Sequence, residues 1–211
     1  MGNNLMILHQ HSLKYIAYSF VAFVVLLMLD LELLSLVAFI FMAFSAYVFR
    51  NPEKLFLSHE QNSVTFPVDG TIISVEEIKD SEYAYKVDVK SSYFDISFLR
   101  TPFDAKVTSL NIVRGARLSA DSKLYDNLNE YAELLFIDKN DNKMRVIHKL
   151  TRSFAPLFID VSTDDEVMKS ARYGAMLSGI TSIYLPHSFK LNATVGNKVS
   201  ASETLLGFYA S

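Results

Sequence analysis

The stretch from Tyr15 to Phe49, YIAYSFVAFVVLLMLDLELLSLVAFIFMAFSAYVF, limits this chain more than any other part of it. Its only charges are Asp30 and Glu32, near the middle. One continuous helix would reach roughly 50 Å at about 1.5 Å per residue, well beyond a hydrocarbon core of roughly 30 Å. Two carboxylates at the centre of a single span would also be costly. The run is therefore expected to form a helical hairpin over residues 15–49, with Asp-Leu-Glu at its tip and a tail of residues 1–14 before it. Each arm is short, so both a transmembrane and a re-entrant hairpin fit the pattern. Lys14 precedes the pair, and Arg50 and Lys54 follow it. Those cations place both ends on the inner side, which implies anchoring to the cell membrane with the main domain in the cytoplasm. A secretory leader fits poorly, because a second apolar arm follows at once without a small-residue cleavage site.

Behind the hairpin the texture changes. Short runs such as SVTFPVDGTIISVEEI, YAYKVDVKS, KVTSLNIVRG, YAELLFID, KMRVIHKL and SIYLP alternate apolar and polar residues, separated by turn formers. Asp138–Asn142, DKNDN, reads as a hairpin loop between strands at Leu134–Ile137 and Met144–Ile147. About two helical turns are expected from Asp164 onward in DDEVMKSARYG. FPVDGTIISVE and LNATVGNKVSASETLLGF resemble the hammerhead strands of biotinyl and lipoyl carrier domains, although no lysine stands at a hairpin tip to be modified. The expected class is mostly β: a barrel or hammerhead β-sandwich over residues 50–211, preceded by the membrane hairpin. Exposed sheet edges in so small a β domain leave self-association into a homo-oligomer open.

Composition removes several chemistries. The 211 residues include no cysteine, which excludes disulfides, thiolate catalysis and cysteine-bound zinc. The histidines, His9, His11, His59, His148 and His187, show no ligand spacing within the folded part, so no metal is expected. A net charge of −3 gives no reason to expect a nucleic-acid surface.

Several segments then line up in order: VFRNPE after the hairpin, FPVDG, FDISFLRTPFDAKV, NEYAELLFI, and ARYGAML…IYLP…VGNKVSASETLLG. Together they resemble the short form of phosphatidylserine decarboxylase, with its FFRDPxR, PADG, SPxDVHxNR, NER, GxIxFGSRxDxYLP and VGxxVxxGxT motifs. The resemblance implies a self-processing lyase of phospholipid metabolism, converting phosphatidylserine to phosphatidylethanolamine and CO2. In that family an Asp–His pair helps a serine attack the preceding carbonyl. The ester then eliminates to leave a pyruvoyl group, which forms a Schiff base with the substrate amine and serves as electron sink. The implied partners are a phospholipid membrane and phosphatidylserine.

Carried over residue by residue, the resemblance is incomplete. Asp69 falls on the family's acid, though Asp-Gly is also a turn former. Lys106 stands at the histidine position, and Thr108 replaces an asparagine. A lysine acts as base only if burial or a neighbouring cation lowers its pKa; otherwise Lys106 is a cation beside Asp104. Asn129 and Glu130 match the substrate-binding NER element, while Tyr131 replaces its arginine. Arg152 is the remaining basic match in IHKLTRSF, and His148 reads either as a strand residue or as a substitute histidine. Anchoring on YLP puts Gly179 at the serine position, and anchoring on Gly174 puts Ile180 there. The nearest hydroxyl is Ser178, preceded by Leu177. Asp69, Lys106 and Ser178 are thus the candidate catalytic residues, with a self-derived pyruvoyl group if the chain is processed at Ser178 and no cofactor otherwise. Three readings stand: a decarboxylase-like lyase with impaired self-processing, a non-catalytic relative that binds phospholipid headgroups or regulates a membrane enzyme, and a membrane-tethered β-sandwich adaptor.

Overall fold

A computed structural model describes residues 13–50, 52, 62–78 and 82–210. Most of the expected tail, with His9 and His11, lies outside the described residues, as do Lys54 and His59. The chain divides into two compact units, Met1–Glu53 and Lys54–Ser211.

The first unit contains α1 (Leu13–Met28) and α2 (Glu32–Val48). The break falls at Leu29–Leu31, where Asp30 takes a left-handed conformation with φ 53°, one that aspartate tolerates better than most residues. Its amide donates to Leu27 O at 3.1 Å, and Leu31 N donates to Leu26 O at 3.0 Å, closing the last turn. Glu32 opens α2, where its charge favours the helix N-terminus. Phe23 packs against Phe39 with tilted rings 5.7 Å apart, and Tyr15 stacks on Phe49 at 5.7 Å, so the two helices run antiparallel.

The expected membrane hairpin is overturned by helix length. The helices have 16 and 17 residues, or about 24 and 26 Å at 1.5 Å per residue, against roughly 30 Å of hydrocarbon. Among the described residues no helix is long and apolar enough to cross a membrane. Membrane anchoring and the placement at the cell membrane are corrected with it, because the charge-flank argument needs a span to orient. The same Asp-Leu-Glu that makes the run a hairpin leaves neither arm long enough.

In the second unit β1 (Ser63–Thr65), β2 (Gly70–Glu77), β3 (Tyr85–Ser91), β4 (Phe98–Arg100) and β5 (Ala105–Val113) precede one helical turn, α3 (Tyr125–Leu128). Then come β6 (Tyr131–Ile137), β7 (Lys143–Leu150), β8 (Phe158–Ile159), β9 (Glu166–Val167), β10 (Arg172–Ala175) and β11 (Gly179–Leu185). The last strands are β12 (Phe189–Leu191), β13 (Lys198–Val199) and β14 (Leu205–Tyr209). Eight of them form one sheet in the order β13-β2-β3-β11-β7-β6-β5-β9, and two three-stranded sheets run β1-β14-β12 and β4-β10-β8.

This arrangement overturns the barrel or hammerhead sandwich. Among the described residues β13 and β9 end the large sheet, and no pairing joins them; the chain is a mixed α/β structure without a closed barrel. The two glycine-turn segments pair as β2 with β13, whereas β14 of the second pairs with β1, just ahead of the first, in a separate open sheet. The helix expected from Asp164 is also absent. Asp164 and Ser170 take positive φ, 73° and 64°, and the segment between them supplies β9 and a turn.

Alternation builds the core. Ala132, Leu134 and Phe136 of β6 face inward beside Met144, Val146, His148 and Leu150 of β7. Asp138 caps the tight loop between them, accepting from Asn140 N at 2.6 Å and Asn142 N at 2.9 Å. Ile183 and Leu185 of β11 continue the same layer.

Candidate functional site

The bend between β10 and β11 carries Ser178. Its carbonyl accepts from Thr151 N at 3.0 Å, and the two hydroxyls, Ser178 Oγ and Thr151 Oγ1, share a hydrogen bond of 3.3 Å. Gly179 opens β11 between Ser91 of β3 and Leu150 of β7. A Cβ at Gly179 would stand 2.5 Å from Lys149 O and 2.6 Å from Met176 Sδ. The position that anchoring on Tyr-Leu-Pro gives to the family serine therefore has no room for a side chain unless the sheet moves.

Asp69 reaches this junction through Ser91, whose hydroxyl donates to Asp69 O at 2.5 Å. At the Asp69 carboxylate, Oδ1 accepts from Ala201 N at 2.9 Å. Gly70 beside it opens β2 rather than supplying a positive-φ turn; a Cβ there would collide with Lys90 O. The structure thus brings the backbone of Asp69 and the Ser178–Gly179 peptide to opposite ends of one strand residue, Ser91.

Lys106 does not join them. It lies on β5, separated from β11 by β6 and β7 in the sheet order, and its Nζ pairs with Asp164 Oδ1 at 2.7 Å. That hydrogen bond raises its pKa, the opposite of what a base needs. His148 is fully buried, with Nδ1 2.8 Å from Thr181 Oγ1 and Nε2 2.7 Å from Tyr173 Oη. Desolvation holds its pKa down at about 3, so the ring is neutral and both nitrogens are engaged inside the core.

Asn129 and Glu130 form a buried clamp. Asn129 Nδ2 donates to Leu118 O at 2.9 Å and to Leu150 O at 2.8 Å, and its Oδ1 accepts from Leu118 N at 3.1 Å. Glu130 accepts from Arg114, from Arg117 Nε at 3.2 Å and from Leu157 N at 3.1 Å. These bonds tie the 114–118 and 151–157 loops to the end of β7. The same loops carry a cationic rim: Arg152 follows Thr151 directly, its amide donates to Arg117 O at 2.9 Å, and its side chain is 73% exposed. Tyr93 supports the rim, accepting from Phe154 N at 3.0 Å and donating to Arg152 O at 2.7 Å.

Sequence reading missed Thr151, Arg100 and Lys169. Burial lowers the pKa of Lys169 against the field of Asp104, and its Nζ donates to Ser63 O and Oγ at 2.7 Å each. Nothing in a turn reading of KSAR signals that burial. A recess of about 310 Å³, lined by Phe66, Ile72, Asn197, Lys198 and Thr204 among others, involves none of the expected site residues. No group of three or more potential metal ligands occurs among the described residues.

The sequence profile described as phosphatidylserine decarboxylase matches residues 41–207. The chain is 27% identical over 183 residues to the phosphatidylserine decarboxylase proenzyme of Desulfotalea psychrophila, spanning 84% of this chain and 85% of that one. It is 28% identical over 204 residues to the proenzyme of Geobacter metallireducens, spanning 90% and 93%. These matches define a lyase-like scaffold of the phospholipid-handling class. The chain belongs to the phosphatidylserine decarboxylase family, as a divergent member.

Proposed function

We propose that this chain binds the headgroup of phosphatidylserine or a closely related acidic phospholipid, and keeps Ser178 as an intact residue rather than as a pyruvoyl group. The observation that carries the reading is the Thr151–Ser178 hydroxyl pair beside the exposed guanidinium of Arg152. A guanidinium rim is suited to a phosphodiester, and two hydroxyls can donate to a carboxylate.

Self-processing asks for a group that takes the proton of Ser178 Oγ as it attacks Leu177 C=O. Thr151, the hydrogen-bond partner of Ser178 Oγ, is no base at ordinary pH. Lys106 is tied to Asp164, His148 is neutral among Tyr173 and Thr181, and the Asp69 carboxylate serves Ala201 N. These residues do not fit the formation of a pyruvoyl group.

Titration calorimetry with short-chain phosphatidylserine below its micelle concentration tests the binding reading. Saturable binding is expected, weakened about tenfold by Arg152→Ala, with short-chain phosphatidylcholine binding far less. Equal binding of both lipids, or release of CO2 from carboxyl-labelled phosphatidylserine, would overturn it.

A further inference from the structure

Arg100 ends β4 with 6% of its surface exposed. Its Nη1 reaches Ser170 O at 3.3 Å, while Nε and Nη2 are buried without an acceptor. Directly opposite in the β4–β10 register stands Arg172. Like charges facing each other across an antiparallel pair repel, and a buried cation with open donors is costlier still. Desolvation and the field of Arg172 push the Arg100 pKa down, opposed by the fields of Asp69 and Glu203.

Those two acids do not satisfy its donors. Asp69 Oδ1 accepts from Ala201 N, and Glu203 Oε2 accepts from Ser200 Oγ at 2.5 Å. Two hydroxyls in the same surroundings are also buried and unbonded. One is Oγ of Ser170, whose carbonyl holds Arg100 Nη1; the other is Oγ of Ser202, next to the Ala201 amide that holds Asp69. Both serines sit at positive φ, 64° and 67°, a strain that persists where the surroundings dictate it and that clusters at ligand clamps. The buried protons without an acceptor are one on Nε, two on Nη2 and one on each hydroxyl. Such a cluster suits a ligand made of acceptor atoms.

We infer that Arg100, with Ser170 and Ser202, forms a buried subsite for a small free oxyanion of the phosphate class. Planar guanidinium donors match tetrahedral and carboxylate oxygens, and Arg172 supplies the second positive charge. The depth of Arg100 selects a free anion over a headgroup still attached to its glycerol. The inference stands apart from the proposed headgroup binding, which rests on Thr151, Arg152 and Ser178.

The test is thermal unfolding of the full chain with inorganic phosphate added at constant ionic strength, in wild type, Arg100→Met and Ser202→Ala. Wild type is expected to gain stability saturably with phosphate, as a ligand of the native state requires. Arg100→Met is expected to melt higher than wild type without phosphate and to show no response to it. Ser202→Ala is expected to fold normally and bind phosphate at least fivefold more weakly. An unresponsive wild type would overturn the inference, as would an Arg100→Met protein that melts lower yet still responds. Should Arg100→Met fail to fold, an unchanged response in Ser202→Ala overturns the inference and a weakened one supports it. If Arg100→Met abolishes binding of short-chain phosphatidylserine while wild type ignores phosphate, the site is a headgroup site. That result overturns the free-anion assignment, and it keeps headgroup binding while moving its site from Arg152 to Arg100.

Discussion

Glu130 and Arg100 are both charged and both nearly sealed from water, at 1% and 6% exposure, yet the fold treats them in opposite ways. Glu130 accepts from two arginines and the Leu157 amide, so its carboxylate oxygens are satisfied within the chain. Arg100 has one long bond to a carbonyl and two nitrogens without acceptors. A buried ion with its partners in place fastens loops together; one without them is a site in waiting. The contrast reassigns two residue groups. Glu130 and Asn129, expected to bind substrate, are occupied as fasteners, and Arg100, which sequence reading passed over, has open donors.

The largest effect should come from breaking the satisfied ion. Glu130→Ala strands the buried Leu157 amide and leaves Arg114 and Arg117 only backbone carbonyls, and is expected to cost about 3 kcal/mol or more in urea unfolding. A loss below about 1 kcal/mol would place the clamp at the periphery. A neutral buried network gives the intermediate case. His148→Phe strands the hydroxyls of Tyr173 and Thr181, at a cost of about 2–3 kcal/mol.

The histidine also sets an acid limit. Its folded pKa of about 3 lies below the ordinary 6.5, so the unfolded chain binds the extra proton between those values. Its contribution is complete above pH 6.5 and is lost as pH falls toward 3, with a slope of at most about 1.4 kcal/mol per pH unit. His148→Phe should remove that part of the slope, and an unchanged slope would refute the assignment. Arg100→Met should have a smaller effect of opposite sign, a gain of about 1 kcal/mol in phosphate-free buffer. Lys106→Ala, which removes only a solvent-exposed pair with Asp164, should leave the melting midpoint unchanged.

What could be read in the sequence was local. The DKNDN loop and its flanking strands were legible because alternation sets the faces and Asp138 caps its own turn. Sheet closure was not, because it depends on whether β13 and β9 find each other, and no short segment encodes that. The helical pair reads as a transmembrane or re-entrant hairpin because hydropathy reports composition, while spanning depends on the length left after Asp30 breaks the run. At the site, the meeting of Asp69 with the Ser178–Gly179 bend through Ser91 is a matter of register between distant strands. Arg100 was illegible for a related reason. Phe-Leu-Arg reads as a strand ending in a solvated cation, and only the packing of β4 against β10 buries it.

The account turns on a scaffold of the decarboxylase family that leaves its own backbone uncut. Mass spectrometry of the purified full-length chain tests this most directly. The account predicts one species at the intact mass of 23.9 kDa. Two fragments parted between Leu177 and Ser178, the second beginning with a pyruvoyl group in place of Ser178, would contradict it.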